Sequence, residues 1–254
     1  MQQVIAIGNQ KGGVAKTTTC LSLGACLAEL RKSVLLVDLD PQANLTLSLG
    51  LQPNSLRRTV SDAILHNTTL VSVSRETDVP GLDIAPASTG LAAVDKALYR
   101  CRDYEHYLRE AVRQLDPELY DYVLLDCPPS FGPLTLNALT VAELMIVPTQ
   151  AEYYAARTLQ NVFELIRLVR ERTNPALRYR LLVTLYDRRN KICQTTLAEM
   201  RAAFSRLLFT TVIEVDTKLR ESPVVGQPIT VYRPNTRGAQ QYRALAKELL
   251  RDER

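Results

Sequence analysis

The chain has no uninterrupted apolar stretch near the roughly 20 residues a membrane-spanning helix needs, which argues against an integral membrane protein. Its start, MQQVIAIGNQK, carries no basic segment ahead of a long apolar core. It reads as a first strand and not as a signal peptide. Cysteines are few, at positions 20, 26, 101, 127 and 193, and no two form a C-x-x-C pair. An odd number at wide spacing argues against a disulfide framework or a zinc site and predicts buried free thiols. The only two histidines, His66 and His106, sit in no metal-binding pattern and are expected on helix or loop surface. No internal repeat, low-complexity tract or long linker interrupts the sequence. What remains is a cytoplasmic globular protein of 254 residues, 46% hydrophobic and 23% charged, read as one domain over 1–254.

The net charge of +4 is unevenly spread. Residues 1–185 hold 18 Lys/Arg against 19 Asp/Glu, whereas residues 186–254 hold 13 against 8. A basic C-terminal third suits a polyanionic partner or an ordinary solvated face equally well.

Short runs rich in Val, Ile and Leu recur at 4–8, 33–40, 82–87, 122–129, 144–150, 180–187 and 210–215. Continuous apolarity predicts strands buried on both faces, as in a parallel sheet. Between them, Tyr104, Tyr107, Leu108, Ala111, Val112 and Leu115 step at helical spacing, as do Leu159, Val162, Phe163, Ile166 and Val169. Two further stripes use Leu197, Met200, Phe204 and Leu207, then Tyr242, Leu245, Ala246 and Leu249. The alternation predicts a doubly wound, mainly parallel α/β sheet flanked by helices, with ligands at the C-terminal ends of its strands. Residues 51–81 read as the loosest stretch, an insertion.

Three strand ends carry chemistry. Residues 9–19, NQKGGVAKTTT, lie between a strand and a helix expected to begin near Lys16 or Thr17. Backbone N–H groups and the helix dipole favour an anion there. The loop departs from G-x-x-x-x-G-K-[ST], with Gln10 and Ala15 at the glycine positions. Gly12 and Gly13 let the main chain approach phosphate oxygens, Lys16 would reach the β- and γ-phosphates, and Thr17 would ligate Mg²⁺. The second run ends VDLDPQ. Asp38 and Asp40 share a face if the chain is extended, and could orient a water, reach Mg²⁺ through its shell, or cap the next helix. The fourth run, YVLLDCPP, has the form of a Walker B strand, in which Asp126 would meet Mg²⁺ or its waters. The following PPSFGPLT suits a switch that moves on loss of the γ-phosphate.

KGGVAKTTT (11–19), VDLDPQAN (37–44) and YVLLDCPPS (122–130) together resemble the ParA/MinD group of deviant Walker A ATPases. YDRRN (186–190) and GQPITVYRPNTRGAQQYRALAKE (226–248) resemble its ParA, or Soj-like, partition branch. The resemblance runs along nearly the whole chain. It implies an ATPase using ATP and Mg²⁺ that sandwiches two nucleotides in a homodimer and is stimulated by a ParB-like or other adaptor. Lys11 takes the place of the signature lysine that reaches the partner's phosphates, Lys16 acts in cis, and Asp40 positions water. The implied nucleotide contacts are Lys11, Gly12, Gly13, Val14, Ala15, Lys16, Thr17, Thr18 and Asp126, with Tyr186, Asp187 and Asp216 toward the base. The implied metal set is Thr17, Asp38 and Asp126. The family more often has glycine where this chain has Ala15, and alanine costs about 1 kcal/mol there if φ is positive. The resemblance also implies sequence-independent DNA binding and a nucleoid-associated location. Arg189, Lys218 and Arg220 are its nearest DNA-contacting matches, within a wider basic set of Arg188, Lys191, Arg201, Arg206, Arg233 and Arg237. The chain is expected to lack the helix-turn-helix region some partition ATPases carry. The cargo, whether chromosome, plasmid or protein compartment, is not readable.

A MinD-like membrane-associated positioning ATPase is the alternative. It calls for a terminal amphipathic helix with bulky apolar residues, whereas YRALAKELLRDER has a small apolar face suited to packing on the core. An iron–sulfur carrier needs paired interface cysteines. A dethiobiotin-synthase-like ligase fits poorly with Lys11 and YDRR.

Overall fold

The structure is a computed structural model describing residues 2–65, 68–152 and 155–252, with backbone alone at 155–158. Seven strands form one sheet. They are β1 (Gln3–Ile7), β2 (Val34–Asp38), β3 (Arg75–Glu76), β4 (Leu82–Ala85), β5 (Tyr122–Asp126), β6 (Leu144–Thr149) and β7 (Arg178–Val183). Their order is β3-β4-β2-β5-β1-β6-β7. Every pairing is parallel except β3 with β4.

The apolar runs are continuous because helices cover both faces. Alternate residues of each strand point to opposite layers. Ile5, Ile7, Leu36, Leu124 and Ile146 pack with the Lys16–Glu29 and Arg237–Asp252 helices. Leu35, Val37, Val123, Leu125 and Val147 pack on the other side with the Leu91–Leu98, Tyr107–Arg113, Pro133–Val141 and Ala155–Arg172 helices. A Cβ at Gly24 would stand 2.7 Å from Leu36 Cδ2, so this glycine lets the first helix lie close on the sheet. The helical stripes at 159–169 and 242–249 are core as expected, with Leu159, Val162, Ile166, Val169, Tyr242, Leu245, Ala246 and Leu249 buried.

Three expectations are corrected. Residues 210–215 are not a strand. They run beside the end of β7 and bond to it at isolated points, Ile213 N–H to Val183 O at 2.9 Å and Tyr186 N–H to Ile213 O at 3.1 Å. Residues 51–81 are not loose. They hold the Val60–Leu65 and Leu70–Val73 helices and β3, and Val60, Ile64, Leu70 and Val73 are buried in the core. Of the cysteines, Cys20, Cys26 and Cys127 are buried but Cys101 and Cys193 only half so. His106 is half-buried in a short 3₁₀ turn, and His66 lies outside the described residues.

Candidate functional site

β1, β5 and β2 are neighbours at the centre of the sheet, and their C-terminal ends are level. Asp126 is in register with Ile7 on one side and with Asp38 on the other. The phosphate loop follows β1, and residues 39–48 follow β2. Between these two loops lies a cavity of about 500 Å³. Gly12, Gly13, Ala15, Lys16, Thr17, Thr18 and Asp40 line it, so the structure gathers most of the expected phosphate site in one place. Its volume falls in the range usual for nucleotide-sized ligands.

Local geometry explains the loop. The Lys16–Glu29 helix begins immediately after it, so the first N–H groups of that helix have no helical partner. Gly13 has φ +73°, a conformation glycine adopts without steric cost, and a Cβ at Gly12 or Gly13 would meet nothing within 4 Å. The space beside both glycines is open on the cavity side. Asn9 fixes the entry by donating from Nδ2 to Pro148 O at 2.7 Å and accepting from Lys11 N at 3.0 Å. Thr184 braces the middle, its hydroxyl donating to Val14 O at 3.0 Å. The Val14 side chain is buried in the core, so this expected nucleotide contact has only its main chain to offer.

Ala15 has φ 64° and ψ 37° and caps the helix from the left-handed region. Its methyl lines the cavity. The condition attached to Ala15 is therefore met: the residue is strained, by about 1 kcal/mol. Ala15→Gly is expected to raise stability by about 0.5–1 kcal/mol, the relieved strain outweighing the added freedom of the unfolded chain. Urea unfolding checks this, and an unchanged or lower midpoint would contradict it.

The charged groups differ in their surroundings. Lys16 is 8% exposed and donates to Lys11 O at 3.2 Å. Burial lowers its pKa from the ordinary lysine value, while Asp126, Cys127 and Asp40 pull it back up. Asp126 is fully enclosed, and neither carboxylate oxygen reaches a partner in hydrogen-bonding geometry. Burial and then the Asp38 charge hold its pKa well above the usual carboxylate range, against the nearby Thr17 hydroxyl and Lys16. A buried acid without a partner is costly in a folded protein. Beside a threonine hydroxyl at a phosphate loop, it is the donor set that Mg²⁺ takes together with phosphate and water oxygens. The residues present therefore fit a magnesium ion.

Asp38 and Asp40 divide their work. Asp38 accepts from Thr46 N at 2.9 Å, Thr46 Oγ1 at 2.7 Å and Asp40 N at 3.1 Å. It is buried, with its pKa pushed up to about 6 by desolvation against these bonds. Both its oxygens clamp the 39–46 loop. Asp40 faces the cavity and uses one oxygen to hold Gln42 N at 2.9 Å.

Lys11 does not line this cavity. Its ammonium folds back onto its own chain, to Gln150 Oε1 at 2.7 Å and Glu152 Oε2 at 2.6 Å. The residues expected toward the base gather in a neighbouring cavity of about 440 Å³ lined by Tyr186, Asp187, Asp216, Glu214 and Arg237. Asp216, however, accepts from Lys218 N and Gly238 N, each at 2.9 Å, and so caps two helices at once. The DNA-contact candidates Arg189 and Lys218 are ion-paired with Asp187 and Glu221, and Arg220 is exposed. Sequence reasoning missed Gln42, Asn44, Leu47, Ser48, Pro129, Pro223 and Val224 as cavity lining. Gln42 and Asn44 stand inside the VDLDPQAN motif, which was their available signal. Pro223 and Val224 arrive from far along the chain and carried none.

A central parallel sheet with a glycine loop, a buried lysine and a strand-end acid converging on one cavity defines a P-loop nucleoside-triphosphatase of doubly wound α/β type. Residues 2–179 match the model of a family described as an AAA domain. The chain is 40% identical over 250 residues to the sporulation initiation inhibitor protein Soj of Bacillus subtilis, covering 98% of each. It is 43% identical over 252 residues to the chromosome-partitioning ATPase Soj of Thermus thermophilus, covering 97% of this chain and 94% of that one. Among solved structures, cobyrinic acid a,c-diamide synthase of Mycobacterium smegmatis with bound ADP and magnesium is 38% identical. It covers 100% of this chain and 96% of its own, with TM-score 0.86. The chain belongs to the Soj/ParA family of ParA/MinD-type P-loop ATPases, whose members include positioning ATPases for chromosome partition.

Proposed function

We propose that the protein is a ParA-type ATPase that binds ATP with magnesium, forms a nucleotide-sandwich homodimer, binds DNA without sequence preference and positions a cargo. A ParB-like or other adaptor would stimulate hydrolysis and release it. The observation that carries this reading is the 500 Å³ cavity in which Lys16 is buried and Asp126 lies beneath without a partner. Lys16 and Asp126 offset each other only in part, and a triphosphate with its cation would complete the charge balance.

In this reading Gly12, Gly13 and the first turn of the Lys16–Glu29 helix cradle phosphate oxygens, and Lys16 supplies the cis cation. Thr17 and Asp126 would hold magnesium, which when bound would supply charge neutralisation to the phosphates. Asp40 orients the water that attacks the γ-phosphorus, and the bond to the ADP oxygen breaks as the new one forms. Lys11 from the second copy stabilises charge on the phosphoryl oxygens and joins the two chains across the nucleotides.

The Arg237–Asp252 helix favours this reading over a membrane-associated one. The apolar face of the Arg237–Asp252 helix is spent on the core through Tyr242, Leu245, Ala246 and Leu249. Among the described residues, no helix is long and apolar enough to cross a membrane.

Arg189→Glu and Lys218→Glu are expected to abolish binding to random-sequence duplex DNA in the ATP state and to leave ATPase activity within about two-fold, because phosphate contacts carry most of such affinity. Gel shifts at moderate salt beside a phosphate-release assay check this. Retained DNA binding in both variants would remove these positions from the interface.

A further inference from the structure

Part of the basic C-terminal third is ion-paired within the chain. Asp187 grips Arg189 twice, Oδ1 accepting from Nε and Oδ2 from a terminal guanidinium nitrogen, both at 3.0 Å. Glu221 grips Lys218 with both oxygens, at 2.9 and 2.6 Å, and is itself fixed by the Tyr232 hydroxyl at 2.9 Å. Of the three nearest DNA-contact candidates, only Arg220 has no ion pair among the described residues. The two acids thus cancel the two cations locally.

Asp187 lines one of the two cavities assigned to nucleotide, and Glu221 stands just before the segment that lines the other. Asp187 lines the cavity that opens just beyond Thr184, the residue braced on the phosphate loop. Glu221 is followed directly by Ser222, Pro223 and Val224, and the last two line the phosphate cavity itself. A ligand in either cavity therefore touches the segment that holds a mask in place.

We infer that Asp187 and Glu221 are built-in masks that neutralise the DNA-contacting cations Arg189 and Lys218 until nucleotide engages the adjoining cavities. This rests on the DNA-binding reading above. Exposed ion pairs are weak and screened by salt, so the masks are easily displaced once the segments shift. While in place, each withholds about one phosphate contact from DNA. One contact is worth a slope of about 0.9 in log affinity against log salt, and a mask held by an exposed ion pair withholds at most roughly five-fold in affinity. ATP dependence of DNA binding then has two sources, pairing of two faces by dimerisation and release of cations within each chain.

The test uses the full chain without nucleotide and a labelled random-sequence duplex, followed by fluorescence anisotropy from about 50 to 200 mM salt. Glu221→Gln and Asp187→Asn are each expected to tighten binding about two- to five-fold near 0.1 M and to steepen the salt dependence. Glu221→Gln keeps an acceptor for Tyr232 and should also shrink the gain in affinity on adding ATP. Arg189→Glu and Lys218→Glu are run beside them in the ATP state. If those reversals lose binding while the two amide variants leave nucleotide-free affinity and slope unchanged, the masks are wrong and the DNA face stands. If the reversals keep full binding, the DNA face itself is wrong and the masks fall with it.

Discussion

Asp40→Ala is expected to lower ATP turnover by about 10³-fold and to leave nucleotide affinity within a few-fold, the scale usual for loss of a water-positioning group. Asp40 is 7% exposed, lines the cavity and commits one oxygen to Gln42 N, which fixes the direction of the other. Its loop is held from below by Asp38 through Thr46, so the carboxylate is preorganised and not free to wander. The alanine variant keeps the phosphate cradle, Lys16 and Asp126. It should therefore load ATP, dimerise and remain in that state. Single-turnover phosphate release together with binding of a fluorescent ATP analogue separates the two effects. Turnover within ten-fold of the parent would move the water-positioning role elsewhere.

Lys11→Ala is expected to weaken the ATP-dependent dimer by about 100-fold, while the single chain binds nucleotide nearly as before. Truncating one member of a desolvated interfacial charge pair costs on the order of 2–5 kcal/mol. Lys11 lies outside the cavity lining of its own chain and rests on Gln150 and Glu152, so removing it leaves the cis site whole. The same ion pair has a second effect. In the proposed dimer Lys11 would have to leave Glu152 to reach another chain's phosphates, and Glu152 would then set part of the threshold for dimerisation. Light scattering with and without ATP reads the outcome. A dimer of unchanged strength would assign Lys11 to its own chain alone.

The parts of the site that were legible in the sequence are those made by contiguous residues. NQKGGVAKTTT announced a strand–loop–helix phosphate site, and the helix starts at Lys16. YVLLD announced a strand with an acid at its end, and Asp126 is the last residue of β5. Asp38 and Asp40 were legible as a pair, but their division of labour was not, because it depends on Thr46 folding back eight residues to take the first of them. The strain at Ala15 was legible only as a condition on φ. The run at 210–215 had the composition of a strand yet meets β7 only at isolated points. Ion pairs among the basic residues were invisible to a count of charges, since Asp187 and Glu221 entered that count as ordinary acids.

Thr184 and Tyr242 carry a consequence for how the protein comes into being. The phosphate loop lies within the first 20 residues, yet Val14 is braced from 170 positions away and Thr19 bonds to the Tyr242 hydroxyl at 3.1 Å, 223 positions away. Arg243 adds a two-bond clasp on Glu29. Contacts of such sequence separation form late, because the chain must close long loops before it gains from them. Seating of the glycine loop and of the helix after it therefore draws on residues far later in the sequence. A chain cut short before Tyr242 is expected to keep the motif in its sequence and to hold the site less firmly, since the Lys16–Glu29 helix loses these contacts.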